Sequence, residues 1–440
     1  MQPEPRTPWQ PAPRWADPFI ALLLILACLA AGLSLFTRAK VAERPSEQVS
    51  LQGRLVEVAL AAPQVLLGQK PKAAEWDRAA ARLSDPWDAA LLVVLRTELE
   101  PEAKSALPKL PSRGGEALHR VYLAAYEHGP MPSAQDRAET RRRLGRGYSA
   151  SLLEARLQGP ANGGIQLRTQ ARQVLLVRFA LLTVLGLGVS GLSLGGLALG
   201  IYLIATRRVP PPPLPAWGLS GRAAAIVFLA WFLGFFLAGS LAGLLLSPWP
   251  SLRWLALPGG YLLHACFGLR LITWAEGLRF KDLWGRVAAG RPGKDLAWAI
   301  PFLALAVTLV LLVAMLSSWI LAPTQNPQRD LQELLQGVSG WPTTLVLFLT
   351  VAGVAPVFEE LFFRGFLLPV LARKDRMAWG LLASAGLFGA IHLQPAGLPI
   401  LATLGWVLGL ALRQTGSLRT PILLHACWNG TLFVLLRGMA

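Results

Sequence analysis

Cysteine is scarce in this chain: three in 440 residues, Cys28, Cys266 and Cys427, each inside an apolar run, with no paired spacing and no Cys-x-x-Cys. That excludes a disulfide framework and a thiolate metal site. Acidic residues are also few, 25 against 42 lysines and arginines, for a formal charge of +17. The basic residues mostly sit in short loops beside apolar runs, where they set orientation in a membrane, so no nucleic-acid partner is expected. There is no His-Glu-x-x-His, which removes the common zinc-protease helix. Ser384, in LLASAG, has neither the Gly-x-Ser-x-Gly elbow of a hydrolase nor the setting a rhomboid-like serine protease needs. No inverted repeat of broken helices supports a proton-coupled transporter, although buried Glu and His would suit one.

What the chain has instead is apolar sequence, 53% of its residues against 15% charged. Runs long enough to span a bilayer lie at 19–36, 179–205, 223–247, 254–275, 296–321, 342–371, 377–393, 396–412 and 418–437, judged against the ~20 residues a span needs. The expected fold is all-α: a polytopic membrane helix bundle of about nine transmembrane helices. The run at 19–36 exceeds a signal-peptide core and lacks a small-x-small cleavage site, so it is an anchor. Residues 1–36 are then an N-terminal tail and first anchor, and 37–173 a small, mostly helical extracytoplasmic domain. Residues 174–340 hold accessory helices and 341–440 the core that carries the chemistry.

Within 37–173, prolines separate three amphipathic patterns: PWDAALLVVLRTELE, GGEALHRVYLAAYEHG, and SAQDRAETRRRLGRGYSASLLEARL with Ser133 as N-cap. Arg141, Arg142 and Arg143 read as a solvated helix face. The Gly-rich run LGLGVSGLSLGGLALG and the pair Gly405 and Gly409 read as close helix packing, and the four prolines at 210–213 as a stiff connector. The segment EGLRFKDLWGRVAAGRPG resembles a basic interfacial segment, with Leu278, Phe280, Leu283 and Trp284 among its cations.

Orientation follows from alternate loops. One set carries Arg207, Arg208, Arg222, Arg279, Lys281, Arg286, Arg291, Lys294, Arg373, Lys374, Arg376, Arg413 and Arg419; the other holds little beyond Arg253, Arg329 and Arg437. The expectation is a multi-pass cell-membrane protein with a cytoplasmic N-terminus, and with the 37–173 domain and the C-terminus outside.

Two adjacent glutamates stand in the apolar stretch VAGVAPVFEELFFRGFLLPVL. A carboxylate at mid-bilayer costs about 2.5–3.5 kcal/mol on insertion scales, so such residues mark function by default. Glu360 and Arg364 are four apart on one helix face and pair, either to brace a site or only to fix helix register; Glu359 points about 100° away, left for another task. Phe388 and His392 share a face in LFGAIHL, as do His425 and Asn429 in LLHACWNG. His264, in YLLHACFG, echoes His425 but lacks an Asn four residues on; it reads as an interhelical hydrogen-bond partner and the echo as coincidence. A carboxylate, two imidazoles and an amide on neighbouring spans have the parts to activate a water and stabilise an oxyanion.

EELFFRG at 359–365, FGAIH at 388–392 and HACWN at 425–429 closely resemble the motifs of the CAAX protease and bacteriocin-processing enzyme family, also called the Abi family or type II CAAX prenyl endopeptidase-like intramembrane proteases. The resemblance covers roughly the last hundred residues. It implies an intramembrane endopeptidase acting on a membrane-associated peptide or protein. Glu359 would be the general base on a water with His392 beside it, His425 and Asn429 would stabilise the oxyanion, and Glu360, Arg364 and Phe388 would support the site. Glu359, His392 and His425 would also be the ligands if zinc were bound, with a metal-free mechanism slightly favoured. The alternative is a non-catalytic scaffold of the same fold that binds a partner.

Overall fold

The computed structural model describes residues 16–42, 49–83, 85–102, 107–110, 112–145, 147–205, 221–277, 279–288, 292–320, 335, 340–372 and 376–439. Arg207, Arg208, Leu278, Arg291, Arg329, Arg373, Lys374 and the proline run at 210–213 lie outside them. The described elements are all helical. They are α1 (Ala16–Ala42), α2 (Leu51–Leu67), α3 (Ala73–Arg82), α4 (Pro86–Leu99), α5 (Ser112–Tyr126), α6 (Ala134–Leu144), α7 (Tyr148–Gln158) and α8 (Gly164–Ala205). They continue as α9 (Gly221–Leu246), α10 (Ala256–Glu276), α11 (Phe280–Ala288), α12 (Pro292–Ile320), α13 (Trp341–Leu371), α14 (Met377–Ala390), α15 (Leu398–Thr415) and α16 (Arg419–Met439).

Seven helices among the described residues are long and apolar enough to cross a bilayer: Asp17–Phe36, Gly164–Tyr202, Gly221–Leu246, Ser251–Ala275, Pro292–Ser317, Trp341–Leu371 and Leu398–Thr415. The chain is a multi-pass helical membrane protein. The other two expected spans do form helices. α14 has 14 residues, about 21 Å at 1.5 Å per residue and short of the ~30 Å hydrocarbon core. α16 has 21 residues, but Arg419, His425, Asn429 and Arg437 dilute its apolar character.

The chain divides into two compact units: residues 1–38 with 188–434, and residues 39–187 with 435–440. The second contains α2 to α7 and the first part of α8. Its helix ends are set by local chemistry. Asp85 accepts from the Trp87 amide at 2.8 Å with Pro86 in the first turn, and Ser133 and Asp136 cap α6 reciprocally. The third amphipathic pattern breaks into α6 and α7 because Gly145 adopts φ 64°, where the Arg54 guanidinium reaches in to the Leu144 carbonyl. Arg141 and Arg142 are exposed as expected, but Arg143 is buried, 2.7 Å from Glu139 and 5.6 Å from the Trp87 ring centre. Buried Glu57 accepts from the Ser149 amide at 2.7 Å and pairs with Arg54 at 3.1 Å. Burial alone would raise its pKa; Arg54, Ser149 and Arg178 outweigh that and hold it below the usual carboxylate value.

The first unit is built on close helix contacts. A side chain on Gly196 of α8 would overlap the Ala304 carbonyl of α12, and Thr308 donates to the Ser193 carbonyl at 3.0 Å, whereas a Cβ on Gly188 or Gly191 would meet nothing within 4 Å. Trp231 of α9 stacks on Phe362 of α13 at 4.0 Å and 15°. On α11, Phe280 and Trp284 are exposed while Leu283 is buried.

Candidate active site

The two glutamates sit on a short α-helical turn, Ala355–Glu360, between two π-helical stretches, Thr350–Val354 and Leu361–Leu367. Wide turns of this kind recur at functional sites, because the extra residue per turn re-aims the side chains on either side. Here Glu359 and Glu360 diverge. Glu360, Arg364 and Phe388 are buried, each 1% exposed or less.

Glu360 is the hub of the buried side. Its Oε1 accepts from Arg364 Nη1 at 2.9 Å and from His425 Nδ1 at 2.8 Å. Arg364 continues to the Gly405 carbonyl at 2.7 Å, and its guanidinium lies 4.6 Å from the Phe388 ring centre. One carboxylate thus ties α13 to α16, and through Arg364 to α15. A Cβ on Gly405 would lie 3.1 Å from the Phe388 ring and 3.3 Å from Arg364 Nη2, so this glycine makes room for the pair.

Glu359 faces a cavity of about 250 Å³, lined by aromatic side chains from α9 and α13, by Tyr261 and His264 of α10, and by His392. Its Oε1 accepts a hydrogen bond from the Tyr261 hydroxyl. Its Oε2 is 3.9 Å from His425 Nε2, too long for a direct hydrogen bond and a spacing that a water can bridge. Since a carboxylate only accepts, His425 carries its proton on Nδ1 toward Glu360, which turns Nε2 toward Glu359.

His392 lies just beyond the end of α14. Its Nδ1 is 2.7 Å from the Phe388 carbonyl, which only accepts, so Nδ1 bears the hydrogen and Nε2 is the basic nitrogen. The next residue, Leu393, has φ 51°, a region that a branched side chain enters at a cost. That strain falls in the turn that brings His392 into the cavity wall. Phe388 lies edge-on to both imidazoles, 5.2 Å from His392 and 5.6 Å from His425.

His392 and His425 therefore both lie against Phe388, and Glu359 approaches His425 through Oε2; of these three, Glu359 and His392 line the cavity and His425 stands behind it. Asn429 is placed differently: its Nδ2 donates to the Val351 carbonyl at 3.0 Å, and it is not in the cavity wall. Its second amide hydrogen remains beyond that contact. Among the described residues no three His, Cys, Asp or Glu side chains converge to hold a metal ion. Glu359, His392 and His425 thus do not fit a preformed zinc site.

Sequence reasoning missed Tyr261. In YLLHACFG, the tyrosine three residues before His264 is the residue that reaches Glu359. His264 makes the interhelical bond expected of it, to the Trp231 carbonyl at 3.0 Å, and also lines the cavity.

No curated protein and no solved structure matches the chain. The segment that carries Glu359, His392, His425 and Asn429 does have a counterpart: residues 341–431 match the family model of the Rce1-like type II CAAX prenyl endopeptidases, the group to which its motifs point.

Proposed function

We propose that the chain is an intramembrane endopeptidase of the cell membrane that hydrolyses a peptide bond of a membrane-associated protein or peptide. The observation that carries this reading is the shared wall of Glu359 and His392 in one apolar cavity, with His425 behind the free oxygen of Glu359. Glu359 Oε2 and His425 Nε2, 3.9 Å apart, can hold a water between them, with His392 in the same cavity wall.

In the proposed reaction Glu359 Oε2 takes a proton from the water while the water oxygen bonds to the scissile carbonyl carbon. The carbonyl π pair moves onto oxygen. His425, held by Glu360 through Nδ1, donates to that oxyanion when its Nε2 carries a proton, and the remaining amide hydrogen of Asn429 assists. Collapse breaks the C–N bond, and the proton on Glu359 passes to the departing amine. His392 accepts from the water through Nε2 and aligns it. Glu360 and Arg364 act by holding His425 in register.

The test compares peptide termini of the membrane proteome in native cells carrying the wild-type chain or Glu359→Gln at matched abundance. Termini that disappear in the variant establish proteolysis and name the substrate. Unchanged termini with an intact phenotype would replace the enzyme with a partner-binding scaffold.

A further inference from the structure

We infer that Tyr261 is a positioning residue of the site: its hydroxyl holds Glu359 Oε1 and so reserves Oε2 as the proton-accepting oxygen. The inference rests on the protease reading above and extends the site to α10, outside the segment 341–431 that matches the endopeptidase family.

The two oxygens of Glu359 have different neighbours. Oε1 is taken by the Tyr261 hydroxyl, and Oε2 faces His425 Nε2. Without a donor on Oε1 the carboxylate could rotate about its last torsion, which is broad and two-fold, and present either oxygen in several orientations. A phenol on a rigid helix removes that freedom at little entropic cost, since tyrosine has only two side-chain torsions before its hydroxyl.

The helix that carries Tyr261 is itself fixed against α9. His264, on the same face three residues later, has Nε2 3.0 Å from the Trp231 carbonyl, and because a carbonyl only accepts, that nitrogen donates. Trp231 in turn stacks on Phe362 of the glutamate helix. A Cβ on Gly268 would lie 2.7 Å from the Trp231 ring, and one on Gly234 2.5 Å from Phe267, so α9 and α10 meet without slack. The chain of contacts therefore runs from Phe362 through Trp231 and His264 to the helix of Tyr261, and returns to Glu359 on the helix where it began.

The experiment runs wild type, Glu359→Gln, Tyr261→Phe and Leu262→Ala side by side at matched abundance and reads the same termini. Leu262 neighbours Tyr261 but is 55% exposed on the outer face of α10, so its variant controls for general damage to the helix. The expected result is loss of the termini in Glu359→Gln, a decrease of about 10- to 100-fold in Tyr261→Phe, as misplacing a reacting group costs, and none in Leu262→Ala. On a peptide copied across one such terminus, Tyr261→Phe lowers kcat by that factor and leaves KM within about twofold. Termini lost in Glu359→Gln but kept in Tyr261→Phe, or a loss carried by KM, overturn the role of Tyr261 and leave the protease reading standing. Termini unchanged in Glu359→Gln overturn both, since Tyr261 then has no base to position. If Tyr261→Phe does not accumulate, 4-fluorophenylalanine at 261 keeps the ring and fills the place of the hydroxyl without donating a hydrogen. A single-turnover rate equal to wild type would then overturn the inference, and a slower rate supports it.

Discussion

Glu360 accepts from Arg364 and His425 at once, so these two side chains are not independent of each other. Removing the guanidinium leaves a buried carboxylate with only the imidazole to balance it. Breaking one half of a buried pair typically costs about 3–5 kcal/mol, and Arg364→Met should lose on that order in unfolding followed by denaturant in detergent. Activity should fall more than the folded fraction does, because His425 loses its fixed orientation. Much at this scale was readable beforehand. The four-residue spacing of Glu360 and Arg364 gave their pairing, and the 100° turn per residue separated Glu359 from Glu360. The spacing of Phe388 and His392 placed them together. Tyr261 was hidden because a lone hydroxyl in an apolar span carries no signal until a partner from a distant helix is known. Asn429 shares a helix face with His425, yet their hydrogen-bond partners on α13 are nine residues apart, Val351 and Glu360, which a face assignment does not resolve.

Helix contacts set the tolerance of each element. On α15, a Cβ at Gly405 would press on the Phe388 ring, the Ala385 backbone and Arg364 together, whereas one at Gly409 would meet the end of the Leu381 side chain, which can turn aside. Gly405→Val should cost about 1–3 kcal/mol by overpacking, and Gly409→Ala markedly less, in the same unfolding measurement. In the second unit the junction of α2 and α4 depends on Asp88, which accepts from both the amide and the hydroxyl of Ser50. Burial raises its pKa from 3.8 to about 6, against the opposing pull of the Ser50 hydrogen bonds. A carboxyl raised in the folded state binds its proton more tightly there, so its contribution is full below pH 3.8 and is lost as the pH rises through about 6. At about 1.4 kcal/mol per pKa unit this is on the order of 3 kcal/mol. Asp88→Asn should flatten that part of the pH profile of unfolding, measured on the full chain by tryptophan fluorescence. The break between α6 and α7 and the shortness of α14 were not legible. The first depends on Arg54, some ninety residues earlier in the chain, and the second on the turn at Leu393 that aims His392.

The whole molecule is a multi-pass helical membrane protein, and the bias of its basic loops predicts that residues 37–173 face the outside. Cys28, Cys266 and Cys427 are all exposed, so a background lacking them is needed. In that background Arg142→Cys should react with a membrane-impermeant maleimide added to intact cells, while a cysteine at Arg413 should react only after permeabilisation; the reverse pattern would invert the topology. The wide turns on either side of the glutamates also bear on how such a chain tolerates changes of length. A π-helical turn accommodates a residue that an α-helix would have to expel, so a one-residue insertion or deletion at 350–354 or 361–367 alters the girth of α13 locally instead of severing it. What such an event changes is phase. Everything beyond it swings by about 100° around the axis, and the three residues between Glu360 and Arg364 would no longer bring them face to face if one of them were deleted. Length variation among similar chains should therefore be absent from 361–363 and, where it occurs in this helix, be confined to its ends.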